Sequence, residues 1–278
     1  MRLAQDLFEM GLITYHRTDS TRVSTAGQYI AREYIYSKYP DEAEKLYKPR
    51  GWGEAGAHEC IRPTRPLDAE EVRNMIMEGT IITFRPFTWR HQRLYDMIFK
   101  RFIASQSAAA KLYKQKFRLT IEDKVSREVE LYVDVIEHGF LKITPEEYII
   151  SKPVEEGIIK PDSVSEYVKS LTPLYRQGDV IRLMRERGIG RPSTYAKIME
   201  VILKRRYVFE TKKYKYLYPT NLGIRVYQFL VDRYKHMVSE DRTKMLEKYM
   251  DMIEAGEADY QKVLRELHEE IELLQKAD

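Results

Sequence analysis

The sequence predicts an α+β fold in three pieces, and three observations lead there. Apolar residues recur at helical spacing toward both ends of the chain. Between Lys111 and Val135 they alternate instead, which is the period of a strand. The 278 residues, 43% of them hydrophobic, exceed the usual size of one domain and supply apolar material for separate cores. The expected division is a mixed helical domain with a short sheet over 1–107, a β-rich segment over 108–177, and a mainly helical domain with a β-ribbon over 178–278.

Leu3, Leu7 and Phe8 give an apolar face to a first helix that Gly11 stops. Leu12 to Tyr15 reads as a short β-type stretch, and Thr18 to Ser20 as a turn whose hydroxyls and carboxylate can bond nearby backbone. A second helix begins near Thr25 and carries Tyr29, Ile30, Tyr34 and Ile35. Pro49 to Pro66 is a loop rich in Gly and Pro, of a length that is usually functional or disordered. Trp89 to Ser105 is a helix with Leu94, Met97, Ile98 and Phe102 at helical spacing. Phe117, Leu119 and Ile121, then Val129, Leu131, Val133 and Val135, predict a β-hairpin with one buried face. Pro145 to Asp179 holds four prolines and reads as a connector or return strand. Ser193 to Arg206 is a helix with Tyr195, Ile198, Met199, Ile202 and Leu203 on one stripe and Gly190 and Pro192 at its start. Tyr207 to Glu210 and Tyr214 to Tyr218 flank Thr211-Lys212-Lys213 as a basic hairpin, so helix and ribbon together are winged-helix-like. Two helices close the chain from Ser239, the second striped by Tyr260, Val263, Leu264, Leu267, Ile271 and Leu274.

No apolar run approaches the roughly 20 residues that span a bilayer. The first residues lack a signal-peptide core, and Cys60, the single cysteine, excludes an intrachain disulfide and a Cys-based zinc finger. A soluble, cytoplasmic, nucleoid-associated protein is expected. The net charge of +4 conceals an asymmetry. Asp179 to His236 holds 14 Lys and Arg against 5 Asp and Glu, whereas Met237 to Asp278 holds 6 against 12. Such a concentration suits a polyanion-binding surface, although a lysine-rich solvated face gives the same count. Asn74 and Asn221 are the only asparagines, and with the abundant Lys, Arg and Glu they suggest a thermophile.

Three clusters can carry chemistry. In the first, Tyr15 and Arg17 lie two apart on an extended segment and so share a face. Tyrosine hydroxyls are poor nucleophiles near neutral pH, but a close guanidinium stabilises a phenolate and holds a phosphate oxygen together. Against this, the chain has 21 tyrosines, and most must be structural. In the second, His58 can donate to a phosphate or move a proton. Arg62 can pair with Glu59 or grip a phosphate, and a loop histidine with only local bonds is the plainer alternative. A metal site from the adjacent His58, Glu59 and Cys60 is not expected. The third, Arg187-Gly188-Ile189-Gly190-Arg191-Pro192-Ser193-Thr194, puts two glycines and the donors of Arg191, Ser193 and Thr194 before a helix N-terminus. That is a phosphate cradle or a tight helix-starting turn, and it matches neither a P-loop nor a dinucleotide fingerprint.

In this order and at these intervals the clusters resemble the type IA DNA topoisomerases. Gly11 to Ser20 is similar to that family's active-site tyrosine motif, Ala57 to Thr64 to its histidine motif, and Gly188 to Ala196 to its Gly-Ile-Gly-Arg-Pro-Ser-Thr motif. Arg85-Pro86-Phe87-Thr88-Trp89-Arg90 and the His16 variant resemble the reverse gyrases, the thermophile branch. The resemblance implies a mixed helical tyrosine domain, a β-rich arch segment and a mainly helical single-strand DNA-binding domain. It makes Tyr15 the attacking group, linked to the 5′ phosphate of a cut strand. Arg17 would stabilise the scissile phosphate and the phenolate, and His58 would bind a phosphate. Arg191, Ser193 and Thr194 would hold single-stranded or underwound DNA. Asp19, counted among the DNA-binding residues, is inferred separately to orient Arg17.

Family members begin with a metal-binding Toprim domain carrying an Asp-x-Asp pair, whereas here 14 residues precede Tyr15. Asp251-Met252-Ile253-Glu254 lies in the tail helices and is no substitute. The expectation is a split subunit or an excised fragment, inactive without a partner chain or segment that brings the Toprim domain and its Mg²⁺. ATP would enter only through a separate helicase-like module. Two alternatives stay open: a single-strand DNA-binding subunit without chemistry, and a winged-helix duplex binder.

Overall fold

The computed structural model describes residues 1–278 except 54–57, 122–124, 146–147, 149, 159–162, 164, 167, 169–170, 236 and 276–278. Ala57, which opens the histidine motif, the tip of the predicted hairpin and the side chain of Leu274 thus lie outside the described residues. The chain forms two compact units, Met1–Ser165 and Glu166–Asp278.

The first unit is built on α5 (Trp89–Ser105), whose buried side chains are His91, Tyr95, Phe99, Phe102 and Ile103. Steps of three and four residues put these on one face. Met97, expected on the apolar stripe, instead faces solvent, because the aromatic rows at 95, 99 and 102 take the core. Against α5 pack Leu7 of α1 (Arg2–Glu9), Ala31, Tyr34 and Ile35 of α2 (Thr25–Lys38), Ala43 and Leu46 of α3 (Ala43–Leu46), and Val72 of α4 (Ala69–Met77). Tyr34 meets Phe99 edge-on with centroids 4.7 Å apart. The sequence reading passed over α4, yet Asp68-Ala69-Glu70-Glu71 is a capping-box signature. Asp68 Oδ1 accepts from the Glu71 amide at 3.0 Å, and Glu71 Oε2 accepts from the Asp68 amide at 2.8 Å.

β1 (Lys111–Ile121) and β2 (Val125–Glu137) pair antiparallel, with Phe117 opposite Val129. The expected face is half-buried rather than buried: Phe117, Val129, Leu131, Val133 and Val135 are partly covered, while Leu119 and Ile121 are exposed. A two-stranded ribbon has nothing to cover its second side, and alternation in sequence cannot report whether a covering layer exists. Part of the following connector runs along the ribbon, where Gln115 and Val154 exchange two hydrogen bonds, of 2.7 and 2.8 Å.

The second unit comprises α6 (Gln177–Glu186), α7 (Pro192–Lys204), the ribbon β3 (Val208–Glu210) with β4 (Leu217–Pro219), and α8 (Asn221–Tyr234), α9 (Glu240–Glu254) and α10 (Tyr260–Gln275). Helix α6 starts inside the stretch read as irregular, and α8 also went unpredicted. Ribbon strand β4 begins three residues later than expected, because Thr211 to Tyr216 form the turn: the Thr211 amide donates to the Tyr216 carbonyl at 2.8 Å. Among the described residues of this unit only Met199, Leu217 and Val263 are buried hydrophobics.

Candidate functional site

Helix α1 ends in a stop that aims the next segment. Gly11 takes φ +69°, its amide donates to the Phe8 carbonyl at 2.9 Å, and the Leu12 amide donates to the Leu7 carbonyl at 3.0 Å. This pairing of a left-handed glycine with two back-reaching amides sends the chain off the helix at a fixed angle. Leu12 and Ile13 then enter the core.

The expected strand over Leu12 to Tyr15 reduces to one antiparallel bridge, Ile13 to Pro63, and that bridge joins the tyrosine segment to the histidine loop. The Thr14 amide donates to the Arg62 carbonyl at 2.9 Å, and the Thr64 amide to the Leu12 carbonyl at 3.1 Å. Thr14 Oγ1 donates to the Cys60 carbonyl at 2.8 Å and accepts from the Arg62 amide at 2.9 Å. Regular pairing ends at this bridge, so Tyr15 does not follow the buried Ile13 inward but lies 39% exposed.

The Tyr15 ring is held by three others: Phe8 edge-on at 5.3 Å, His16 at 5.6 Å and His58 at 6.1 Å between centroids. Tyr15 and His58, 43 positions apart in sequence, thus share one site. Arg17 is placed by the same helix. Its Nη2 donates to Gln5 Oε1 at 3.3 Å, and Gln5 lies one turn before Phe8 on α1. Arg17 therefore takes its hydrogen bond from α1; among the described residues Asp19 makes none with it, so the expected orienting contact is absent.

Arg62 pairs with Glu59 rather than facing solvent. Its Nε and Nη2 donate to the two carboxylate oxygens at 3.0 and 2.8 Å, and Nη1 donates to the Pro63 carbonyl at 2.9 Å. Ser24, the N-cap of α2, donates to Glu59 Oε2 at 2.6 Å. Burial would raise the Glu59 carboxyl, but the hydrogen bonds from Arg62 and Ser24 outweigh it and hold the group below the ordinary carboxylate range. Gly27 is glycine for a reason of space: a Cβ there would sit 2.9 Å from Arg62 Cδ and Nε. This buried fork stiffens the loop between His58 and the bridge. Phe8, Gln5, Thr14 and Ser24 were all missed in the sequence. The only signals they carry are a three-residue helical spacing and a serine before a helix.

His16 is buried, and among the described residues neither ring nitrogen has a partner. Burial, and then the charge of Arg17, lower its pKa.

In the second unit the cluster after α6 repeats the glycine stop. Gly188 takes φ +65°, its amide donates to the Arg185 carbonyl at 3.1 Å and the Ile189 amide to the Met184 carbonyl at 2.8 Å. The predicted donors at α7 are largely engaged. Thr194 Oγ1 donates to the Arg191 carbonyl at 3.0 Å and accepts from the Arg191 amide at 2.8 Å. Arg191 Nε donates to Glu247 Oε2 at 2.7 Å and Nη2 to Asp251 Oδ1 at 2.5 Å. Its hydrogen bonds to the Asp251 and Glu247 carboxylates push its pKa up. Ser193 at the helix start is exposed.

Residues 1–265 match the protein-family model described as DNA topoisomerase. The chain belongs to the type IA DNA topoisomerases. It is 50% identical to reverse gyrase of Pyrococcus furiosus over 98% of its own length and 22% of that protein's. It is 48% identical to reverse gyrase of Pyrobaculum aerophilum over 97% of its length, again 22% of the relative. The structure of full-length topoisomerase I from Thermotoga maritima superimposes with a TM-score of 0.76 at 32% identity, covering 99% of this chain and 45% of that one. The chain therefore spans about a fifth of the length of the reverse gyrases it matches. Among the described residues of this topoisomerase chain no three His, Cys, Asp or Glu side chains converge as a metal-binding group.

Proposed function

We propose that this chain is the tyrosine-bearing part of a type IA topoisomerase of the reverse gyrase kind, and that Tyr15 breaks one DNA strand by transesterification. The Tyr15 oxygen attacks the scissile phosphorus and the bond from phosphorus to the 3′ oxygen breaks. The phenolic proton passes to the leaving hydroxyl, and the 5′ phosphate stays on Tyr15. Reversal reseals the strand after another strand has passed. One ester is exchanged for another, so these steps need no ATP. Arg17 is the cation that faces the phosphate and the developing phenolate, and His58, packed against the Tyr15 ring, donates to a phosphate oxygen. Arg191, Ser193 and Thr194 hold the incoming single strand, Arg191 exchanging Glu247 and Asp251 for phosphate. Mg²⁺ is expected from a Toprim domain outside these residues, and ATP-driven positive supercoiling from a helicase-like module also outside them.

The carrying observation is the juxtaposition of an outward Tyr15 with His58 across the Ile13–Pro63 bridge. A test mixes the chain with a Toprim-bearing partner, Mg²⁺ and single-stranded DNA and stops the reaction in detergent. A covalent protein–DNA adduct that disappears in Tyr15→Phe is the expected result. Tight binding with no adduct from either protein would instead favour a non-catalytic single-strand DNA-binding subunit.

A further inference from the structure

The β3–β4 ribbon carries a surface that the cleavage reading leaves unused. The register sets Phe209 opposite Tyr218, with Glu210 opposite Leu217. Leu217 is buried, so side-chain alternation turns Phe209 and Tyr218 to the outer face, where they are 55% and 41% exposed. At the turn, Tyr214 stacks on Tyr216 with centroids 5.8 Å apart and planes at 28°. The Tyr216 amide donates to Thr211 Oγ1 at 2.9 Å, which fixes the inner ring, and the Arg176 guanidinium lies over it at 5.3 Å. Tyr214 remains open to solvent, with Lys213 Nζ 5.0 Å from its centroid.

The charge around these rings is one-sided. Arg205, Arg206, Lys212, Lys213 and Lys215 face a single acid, Glu210, between positions 205 and 218. Glu210 is already taken by Lys215 at 3.4 Å and by Gln177 at 2.6 Å. Among the described residues Lys212 and Lys213 have no carboxylate within ion-pair distance. Arg191, by contrast, is neutralised by two carboxylates. Un-neutralised lysines beside open aromatic faces are the combination that holds single-stranded nucleic acid, since every base offers a face to stack and every nucleotide a phosphate.

We propose that the ribbon is a second single-strand contact, in which unpaired bases stack on Phe209, Tyr218 and Tyr214 while Lys212 and Lys213 take phosphates. The proposal rests on the reading of the chain as a DNA-handling protein and extends its footprint beyond the α7 motif.

Fluorescence anisotropy of the 278-residue chain tests it, with a labelled thymidine oligonucleotide, an abasic strand of equal length and a blunt duplex. Phe209→Ala combined with Tyr218→Ala, and separately Tyr214→Ala, should each weaken thymidine-strand binding roughly fivefold or more. Neither should change the salt slope or the affinity for the abasic strand. Tyr214→Phe keeps the ring and should bind like the parent, which separates stacking from misfolding. Lys212→Ala with Lys213→Ala should flatten the logarithmic salt slope by about 1.4, two phosphates' worth for a single strand. Normal thymidine-strand binding by all the aromatic variants overturns the ribbon contact and leaves the cleavage reading standing. Equal losses on the abasic strand or on duplex overturn base stacking. A parent chain that binds none of the three overturns both readings.

Discussion

The two units use the same device to opposite ends. Each places a left-handed glycine after a helix, Gly11 after α1 and Gly188 after α6, with the same pair of back-reaching amides. In the first unit the segment that follows dives into a continuous core and is bridged to a second loop, so Tyr15 is positioned by burial beneath it. In the second unit it leads to α7, which buries only Met199, and the motif arginine is fixed by carboxylates of α9. Further ion pairs tie the end of α6 to α9, Arg187 to Glu240 at 2.6 Å, and α9 to α10, Arg242 to Glu270. One unit is held by apolar packing and the other leans on charge at its surface. On the proposed reading, Tyr15 as a nucleophile needs fixed geometry, while Arg191, trading carboxylates for phosphates, needs adjustable partners.

Core truncation should separate the units most strongly. Phe99→Ala removes a ring packed between Tyr34 and Tyr95 inside the connected cluster, which cannot collapse around the void, so a loss of about 3–5 kcal/mol is expected. Met199→Ala acts where the surrounding side chains are half-buried and free to close in, so about 2 kcal/mol is expected, the low end for that substitution. Denaturant unfolding of both variants checks this. Equal losses would mean that the second unit has a core as rigid as the first.

The next contrast concerns ion pairs. Glu59→Gln would leave Arg62, 7% exposed, without its counter-charge. Breaking a fully buried pair costs about 3–5 kcal/mol; Glu59 is partly open to water, so about 2 kcal/mol is expected. The Thr14 amide, bonded to the Arg62 carbonyl, should then exchange its hydrogen faster. Asp251→Asn breaks a pair whose acid is well exposed and should cost about 0.5 kcal/mol or less. A larger effect from Asp251→Asn than from Glu59→Gln would reverse the comparison.

Legibility in the sequence followed the same divide. Trp89–Ser105 was readable to the residue, because a long helix with an apolar face leaves a periodic trace and a threonine marks its start. The grouping of Tyr15 with His58 came through the family's motifs, not through spacing. The Glu59–Arg62 fork was open to two readings, and what decided it, Ser24 and the space left by Gly27, lies more than 30 positions upstream. Phe8 and Gln5 were invisible as site residues because they act through one face of a short helix. The β1–β2 ribbon face was read as more buried than it is, since alternation describes a strand and not how fully another layer covers it. In the second unit α6 and α8 went unread: α6 starts within the proline-bearing stretch taken as irregular, and α8 follows the ribbon at once, with Thr220 as its N-cap.

A last contrast lies within the first unit, where His16 is the exception among its satisfied groups. Both ring nitrogens are buried without partners among the described residues, a state that costs free energy in any protein. His16→Met keeps an apolar side chain of similar size beside Phe8 and Tyr15 and should stabilise the unit by about 1 kcal/mol. The pH dependence distinguishes this from generic repacking. Burial, and then Arg17, lower the folded-state pKa of His16 below the value of about 6.5 it has when unfolded. Between those two values the unfolded chain binds the extra proton, so stability is full above about 6.5 and falls as the pH drops toward the folded value. The lowered carboxyls of Asp6 and Glu59 lose their contributions only in more acid solution, leaving the window between about pH 5 and 7 to histidine. The parent should therefore melt at lower temperature at pH 5.5 than at pH 7.5, and His16→Met should shed part of that decline. Parallel pH profiles for the two proteins would show that His16 finds hydrogen-bond partners in solution, and that the first unit, like the second, tolerates charge where it matters.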